Sequence, residues 1–141
     1  QSGVARGFYS ENDIKSLHNE INRQLKTINC KIHDFFYCPY HPKYGNNKYK
    51  KDSYLRKPNP GMIFKAVKKW NIDLNKSFMI GDKKIDMVTA KRSNLRFIKK
   101  KYNLLREIKK KLTVEKSHFQ PELMINLFLL RKNKKSQIVM C

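Results

Sequence analysis

"FMIGDKKID", residues 78–86, decides how the chain is read. Phe78, Met79 and Ile80 run straight into Gly81, Asp82 and two lysines. Three apolar residues are too few for a helix and read as a strand buried on both faces, the kind found in parallel sheets. A strand that ends on a carboxylate flanked by ammonium groups has two readings. In one, Asp82 closes the strand in a polar loop and caps the following helix. In the other it stands in an active site, because open α/β sheets bind ligands beyond the carboxyl ends of their strands.

Outward from this stretch, strand and helix signals alternate. Ser10-Glu11-Asn12-Asp13 is a capping box with Asp in its third position, and Ile14, Leu17, Ile21, Leu25 and Ile28 then share one helical face. "HDFFYC", residues 33–38, reads as a strand, and a loop rich in Pro, Gly, Asn and Lys follows. Asn59 and Pro60 open a helix lined by Ile63, Ala66, Val67 and Trp70. After the strand at 78–80 come a helix over 84–93, a strand "LRFI" and a basic helix over 102–112. Alternation of this kind predicts a parallel sheet with helices on both faces. Residues 113–141 fit the pattern less well; "PELMINLFLL" has the look of an amphipathic helix from Pro121, and "RKNKKSQIVMC" that of a loose tail.

Composition narrows the class. A chain of 141 residues, 40% of them apolar, is one domain's worth and can bury a core. The longest apolar run, residues 123–130, is broken by Asn126 and is far too short to span a bilayer. The polar N-terminal residues do not read as a signal peptide, and the three cysteines, Cys30, Cys38 and Cys141, lack framework spacing. A soluble cytoplasmic protein with free thiols, monomeric and with no membrane partner, is therefore expected. The net charge of +21 invites nucleic acid as a partner. Lysine outnumbers arginine, however, and is spread along the whole chain, whereas readers of bases and phosphates favour arginine. A phosphorylated substrate suits the same positive field, so a nucleic-acid-binding basic module is the rival reading and not the leading one.

Three stretches carry chemistry. In "RKPNPG", residues 56–61, Arg56 and Lys57 precede a turn that feeds a helix N-terminus, a place favourable to anions. A solvated loop pair is the bland alternative. In "GDKKID", Asp82 at a strand end and Asp86 a helical turn later suit a hard cation such as Mg²⁺. Asp86 has helix-dipole pairing as its alternative. In "QSGVARGFYS", Gln1 and Ser2 set an amide and a hydroxyl beside a glycine, directly before a helix.

In this order, "QSGVARGFYSENDI", "YCPYHP", "RKPNPGMI" and "MIGDKKIDM" resemble the D-glycero-D-manno-heptose 1,7-bisphosphate 7-phosphatases. These belong to the haloacid dehalogenase superfamily, whose related branch includes histidinol-phosphate phosphatases. The resemblance covers residues 1 to about 100 and implies a Rossmann-like α/β fold and a Mg²⁺-dependent phosphatase of surface-glycan biosynthesis acting on a small phosphorylated sugar. It implies that Gln1 and Ser2 bind the phosphoryl group and substrate. It further implies that Arg56 recognises the substrate, Lys57 stabilises the transferring phosphoryl group, Asp82 ligates Mg²⁺ and Lys83 contacts the substrate. Asp86 would support the metal from beyond its direct ligands. Histidinol phosphate or another small phosphate ester is the alternative substrate, since fold likeness does not settle substrate.

Two departures qualify the resemblance. The family's first strand ends in Asp-x-Asp, whose first Asp attacks phosphorus, and no Asp-x-Asp occurs in these residues. The expectation is a phosphatase portion, 1–112, lacking that first strand and inactive alone, with a basic helix or tail over 113–141. Many members also hold a structural zinc on Cys-x-His and Cys-x-Cys. Here Cys38 is the only retained ligand, with Tyr40, Ser53 and Leu55 at the other positions, so no zinc is expected. Tyr37, Tyr44, Tyr49 and Tyr54 are expected to pack together and hold the loop instead.

Overall fold

The computed structural model describes residues 1–27, 29–100, 127–132 and 135–140. The expected helix over 102–112 and the start of a helix at Pro121 lie outside them. Helix α1 spans Glu11–Lys26 and opens as its sequence dictates. The Ser10 hydroxyl accepts from the Asp13 amide at 3.2 Å, and the Asp13 carboxylate accepts from the Ser10 amide at 2.7 Å. Ile14 and Leu25 are buried, but Leu17 is 53% exposed. Leu17 falls on the rim of the apolar stripe, and His18 takes its place against the sheet, stacked on Phe35 with ring centroids 4.0 Å apart.

Strand β1 is only Asp34–Phe35, shorter than the aromatic run suggested. Its approach is fixed by Asn22, whose side-chain amide accepts from the Ile32 amide at 2.7 Å and donates to the Ile32 carbonyl at 3.0 Å. Helix α2, Gly61–Trp70, starts one residue later than Pro60 and ends on left-handed Asn71. Strand β2, Phe78–Gly81, is followed by α3, Lys84–Arg92, and by β3, Arg96–Lys99. Two strands, β4, Leu127–Lys132, and β5, Lys135–Met140, stand where a helix and a loose tail were expected. The Leu-Phe-Leu-Leu and Ile-Val runs gain ladder partners there, and pairing of this kind overrides a weak helical pattern.

The sheet has five strands in the order β1-β5-β4-β2-β3. β2 and β3 pair in parallel, Met79 beside Phe97 and Ile80 beside Ile98, as the alternation predicts. The β4–β5 hairpin enters between β1 and β2, with β4 antiparallel to β2 and β5 parallel to β1. The α/β class holds, with this hairpin as the antiparallel addition. Phe78, Met79 and Ile80 are 2%, 1% and 1% exposed, so β2 is buried on both faces as its composition requires. Met79 packs with Ile63 and Ala66 of α2, Ala90 of α3, and Ile72 and Leu95, and Phe36 joins that cluster. The neighbouring Phe35 packs instead with Leu25 of α1 and Ile32. Successive strand residues face opposite ways, so α1 covers one face of the sheet and α2 and α3 the other. Burying side chains of this size stabilises by about 1.5–3 kcal/mol each. Among the described residues no helix is long and apolar enough to cross a membrane.

Candidate active site

The carboxyl end of β2 is where chain, charge and loop converge. Gly81 is required by packing: a Cβ on it would lie 2.4 Å from the Asp86 Cβ. That close approach brings the first turn of α3 against the strand end. Asp86 is buried at 3% exposure, and its two oxygens are both engaged. Oδ1 accepts from the Lys57 ammonium at 2.8 Å, and Oδ2 from the Lys83 amide at 3.1 Å. The carboxylate thus ties "RKPNPG" to "GDKKID" across 29 residues of sequence.

Around this pair the other expected residues take different positions. Asp82 and the Lys83 side chain are exposed, and neither side chain has a partner among the described residues. Among the described residues Asp82 is the one carboxylate at the strand end free to meet a cation. Arg56 leans the other way, its guanidinium 3.5 Å from the Tyr40 carbonyl oxygen. Gln1 is also near Lys57 and Arg56. The Tyr9 hydroxyl donates to the Gln1 side-chain carbonyl at 2.8 Å. Ser2 is half-buried in the same turn. The structure therefore brings Lys57 and Asp86 into contact, with Gln1, Arg56, Asp82 and Lys83 about them.

The "RKPNPG" turn is held from both ends. The Lys57–Pro58 peptide is cis. Asn59 accepts from the Arg92 guanidinium at 3.0 Å. Gly61 admits no side chain, because a Cβ there would lie 2.5 Å from the Tyr54 carbonyl oxygen. Nothing in the local sequence singled out Arg92, which lies 33 residues from its partner.

The long loop closes on Glu11, another residue the sequence did not single out. Tyr49 and Tyr37 donate to its two oxygens, each at 2.9 Å, and Lys48 stands 3.9 Å away. These hydroxyls, Tyr49 first and Tyr37 next, hold the Glu11 carboxyl below its usual pKa, with slight burial opposing. The four tyrosines do not pack as one group. Tyr44 lies on His41, centroids 4.6 Å apart, with the Arg6 guanidinium 4.2 Å from its ring, and Tyr54 is 60% exposed. His41 is buried, and its Nδ1 accepts from the Lys43 amide at 3.0 Å. Among the described residues no three His, Cys, Asp or Glu side chains gather as metal ligands.

A sheet with helices on both faces and a charged site at the carboxyl end of β2 is the arrangement of open α/β folds that bind ligands beyond the carboxyl ends of their strands. The profile of haloacid dehalogenase-like hydrolases matches residues 45–100. The fold is similar to the crystal structure of a protein described as a HAD-like phosphatase from Mesorhizobium loti, with TM-score 0.62 and 23% identity over 84% of this chain and 66% of that one. The chain thus shares sequence features with haloacid dehalogenase-like hydrolases over residues 45–100. In sequence it is 40% identical over 95 residues to the D-glycero-beta-D-manno-heptose-1,7-bisphosphate 7-phosphatase of Rhodopseudomonas palustris, covering 67% of this chain and 53% of that protein. It is equally similar, 40% over 95 residues, to the D-glycero-alpha-D-manno-heptose-1,7-bisphosphate 7-phosphatase of Photorhabdus laumondii, covering 67% and 52%. The chain spans about half the length of the curated relatives it matches.

Proposed function

We propose that the chain forms the substrate- and metal-binding portion of a phosphatase that removes the 7-phosphate of D-glycero-D-manno-heptose 1,7-bisphosphate. The phosphatase portion is residues 1–112, and 113–141 is an accessory segment that lends the sheet two strands. The observation that carries this reading is the placement of Lys57 beside Asp86 at the end of β2, with Asp82 left free. Lys57 is held 2.8 Å from a carboxylate that fixes its ammonium without leaving the loop. An ammonium so positioned neutralises charge that develops on phosphoryl oxygens, and fixed cations of this kind lower the barrier by several kcal/mol. Gln1, Ser2, Arg56 and Lys83 surround it as donors and cations for the ester.

Asp82 fits Mg²⁺ as one protein ligand, since its carboxylate is exposed and has no partner among the described residues, and this ion takes only one or two carboxylates while keeping phosphate and water. Asp86 does not fit as a direct ligand, because both its oxygens are already engaged. Bound there, Mg²⁺ would screen charge on the phosphoryl group. The attacking carboxylate that the family requires is not among these residues, as no Asp-x-Asp occurs. The chain by itself is therefore proposed not to turn over. The same reading gives a cytoplasmic monomer with no nucleic-acid or membrane partner.

The test is phosphate release from heptose 1,7-bisphosphate and from histidinol phosphate, using the chain alone and the chain extended by a strand bearing Asp-x-Asp. Activity only in the extended protein, with heptose bisphosphate preferred, is expected. In that protein Lys57→Ala should lower kcat roughly a hundredfold or more while Mg²⁺ affinity by calorimetry stays near normal. Asp82→Asn should weaken Mg²⁺ binding and kcat together. Substantial turnover by the 141-residue chain alone would overturn the reading.

A further inference from the structure

The β4–β5 hairpin is held loosely where it enters the sheet. Its two strands pair with each other along their whole length, from Leu127 beside Met140 to Lys132 beside Lys135. Among the described residues, β4 meets β2 only through Phe78–Leu129 and Met79–Phe128. On the other side β5 meets β1 only through Asp34–Val139 and Phe35–Met140. Ile80 and Gly81, the half of β2 that leads to Asp82, take their register partners from β3 alone, as Ile98 and Lys99. The hairpin therefore stops short of the carboxyl end of β2, where the charged site lies.

Strand direction says what that place is shaped to receive. β5 is parallel to β1, and β4 is antiparallel to both β5 and β2, so β1 and β2 run the same way. From β1 through α2 to β2, and from β2 through α3 to β3, the chain travels in one direction across the sheet, its helices on one face. Crossovers between parallel strands share one hand. Helix α1 packs on the opposite face, through Leu25 and His18 against Phe35. A crossover of the same hand with its helix on that face travels the opposite way. A parallel strand feeding α1 and then β1 thus belongs on the β2 side of β1, in the place the hairpin holds.

We propose that the β4–β5 hairpin is a displaceable plug, and that the slot between β1 and β2 accepts one parallel strand, an apolar segment ending in carboxylates. A single parallel strand pairs with β1 and β2 at once and continues along Ile80 and Gly81, which the hairpin does not reach. Its body is apolar because β2 beside it is buried on both faces. Its end is acidic because Lys57 and Lys83 stand at the carboxyl end of β2. A two-stranded hairpin alone is marginal in water, so β4 and β5 lose their pairing together once they leave the sheet. The proposal rests on strand order and direction and stands whatever ester the site binds.

The experiment mixes the full chain with a short synthetic peptide of β-branched residues ending in Asp-x-Asp and follows amide hydrogen exchange. The same peptide with a central proline, which cannot complete a ladder, is the control. The first peptide alone should bind, protect Ile80 and Gly81, and speed exchange over 127–132 and 135–140 by about tenfold or more. Val139→Pro, which breaks the pairing of β5 with β1, should tighten peptide binding by about fivefold or more, because less of the chain is plugged. If that variant aggregates through its opened edges, the exchange pattern of the unaltered chain decides alone. Absence of peptide binding, an affinity unchanged by Val139→Pro, or binding that leaves the hairpin protected overturns the proposal. Protection appearing on β3 with the hairpin undisturbed would show that the peptide adds at the sheet edge, and overturns it as well.

Discussion

The Lys57 ammonium sits 2.8 Å from Asp86 Oδ1, with the two side chains 24% and 4% exposed. A cation proposed to be catalytic and a buried carboxylate thus form one structural unit, so Lys57 contributes to the fold whatever it does in chemistry. Its placement in a loop would suggest that it could be removed without structural cost. The pairing says otherwise.

Asp86→Ala should strand a half-buried ammonium and the Lys83 amide, costing on the order of 2–4 kcal/mol. Lys57→Met should cost less than that, because the Lys83 amide still serves Asp86. Urea unfolding of both single variants and the double variant measures their coupling, expected at roughly 1–3 kcal/mol. Strictly additive losses would show that the pair contributes no interaction of its own.

Gly81→Ala places a methyl group into the Asp86 side chain, at 2.4 Å from its Cβ. Something must shift, and the neighbour is the anchored first turn of α3. A loss of about 1–3 kcal/mol is expected, together with weaker Mg²⁺ binding at Asp82, which follows Gly81 directly. Thermal unfolding and Mg²⁺ calorimetry check the two effects.

Glu11 gives a pH dependence of known sign. Its carboxyl is held below the ordinary value of 4.5 by the Tyr49 and Tyr37 hydroxyls. A depressed folded value means that the clamp is fully present above the ordinary value and is lost as pH falls through the folded one. Glu11→Ala should cost about 1–2 kcal/mol at neutral pH and speed amide exchange over residues 37–50. Glu11→Gln should remove that part of the acid dependence below pH 4.5 while keeping an acceptor. Unchanged exchange in Glu11→Ala would rule out the clamp.

Zinc should not bind stoichiometrically. Tyr40, Ser53 and Leu55 offer no set of ligands to complete Cys38, and four are needed for a tetrahedral site. Elemental analysis after dialysis, with one zinc per chain as the contrary outcome, decides this.

Local pattern determined much of this protein. The capping box at Ser10 and Asp13, the apolar faces of α1 and α2, and the doubly buried β2 depend on neighbours within a few residues. So do the motif order and the family resemblance, because short spacings fix both helix faces and strand ends. What the tertiary structure decided involves partners far apart in sequence. Asp86 serves as the anchor of Lys57 because Gly81 lets α3 close on the strand. Glu11 receives hydroxyls 26 and 38 residues away, and His18 displaces Leu17 from the sheet contact. The strands at Leu127–Lys132 and Lys135–Met140 form against β2 and β1. An isolated apolar run fits either period, and only a ladder partner selects the extended one.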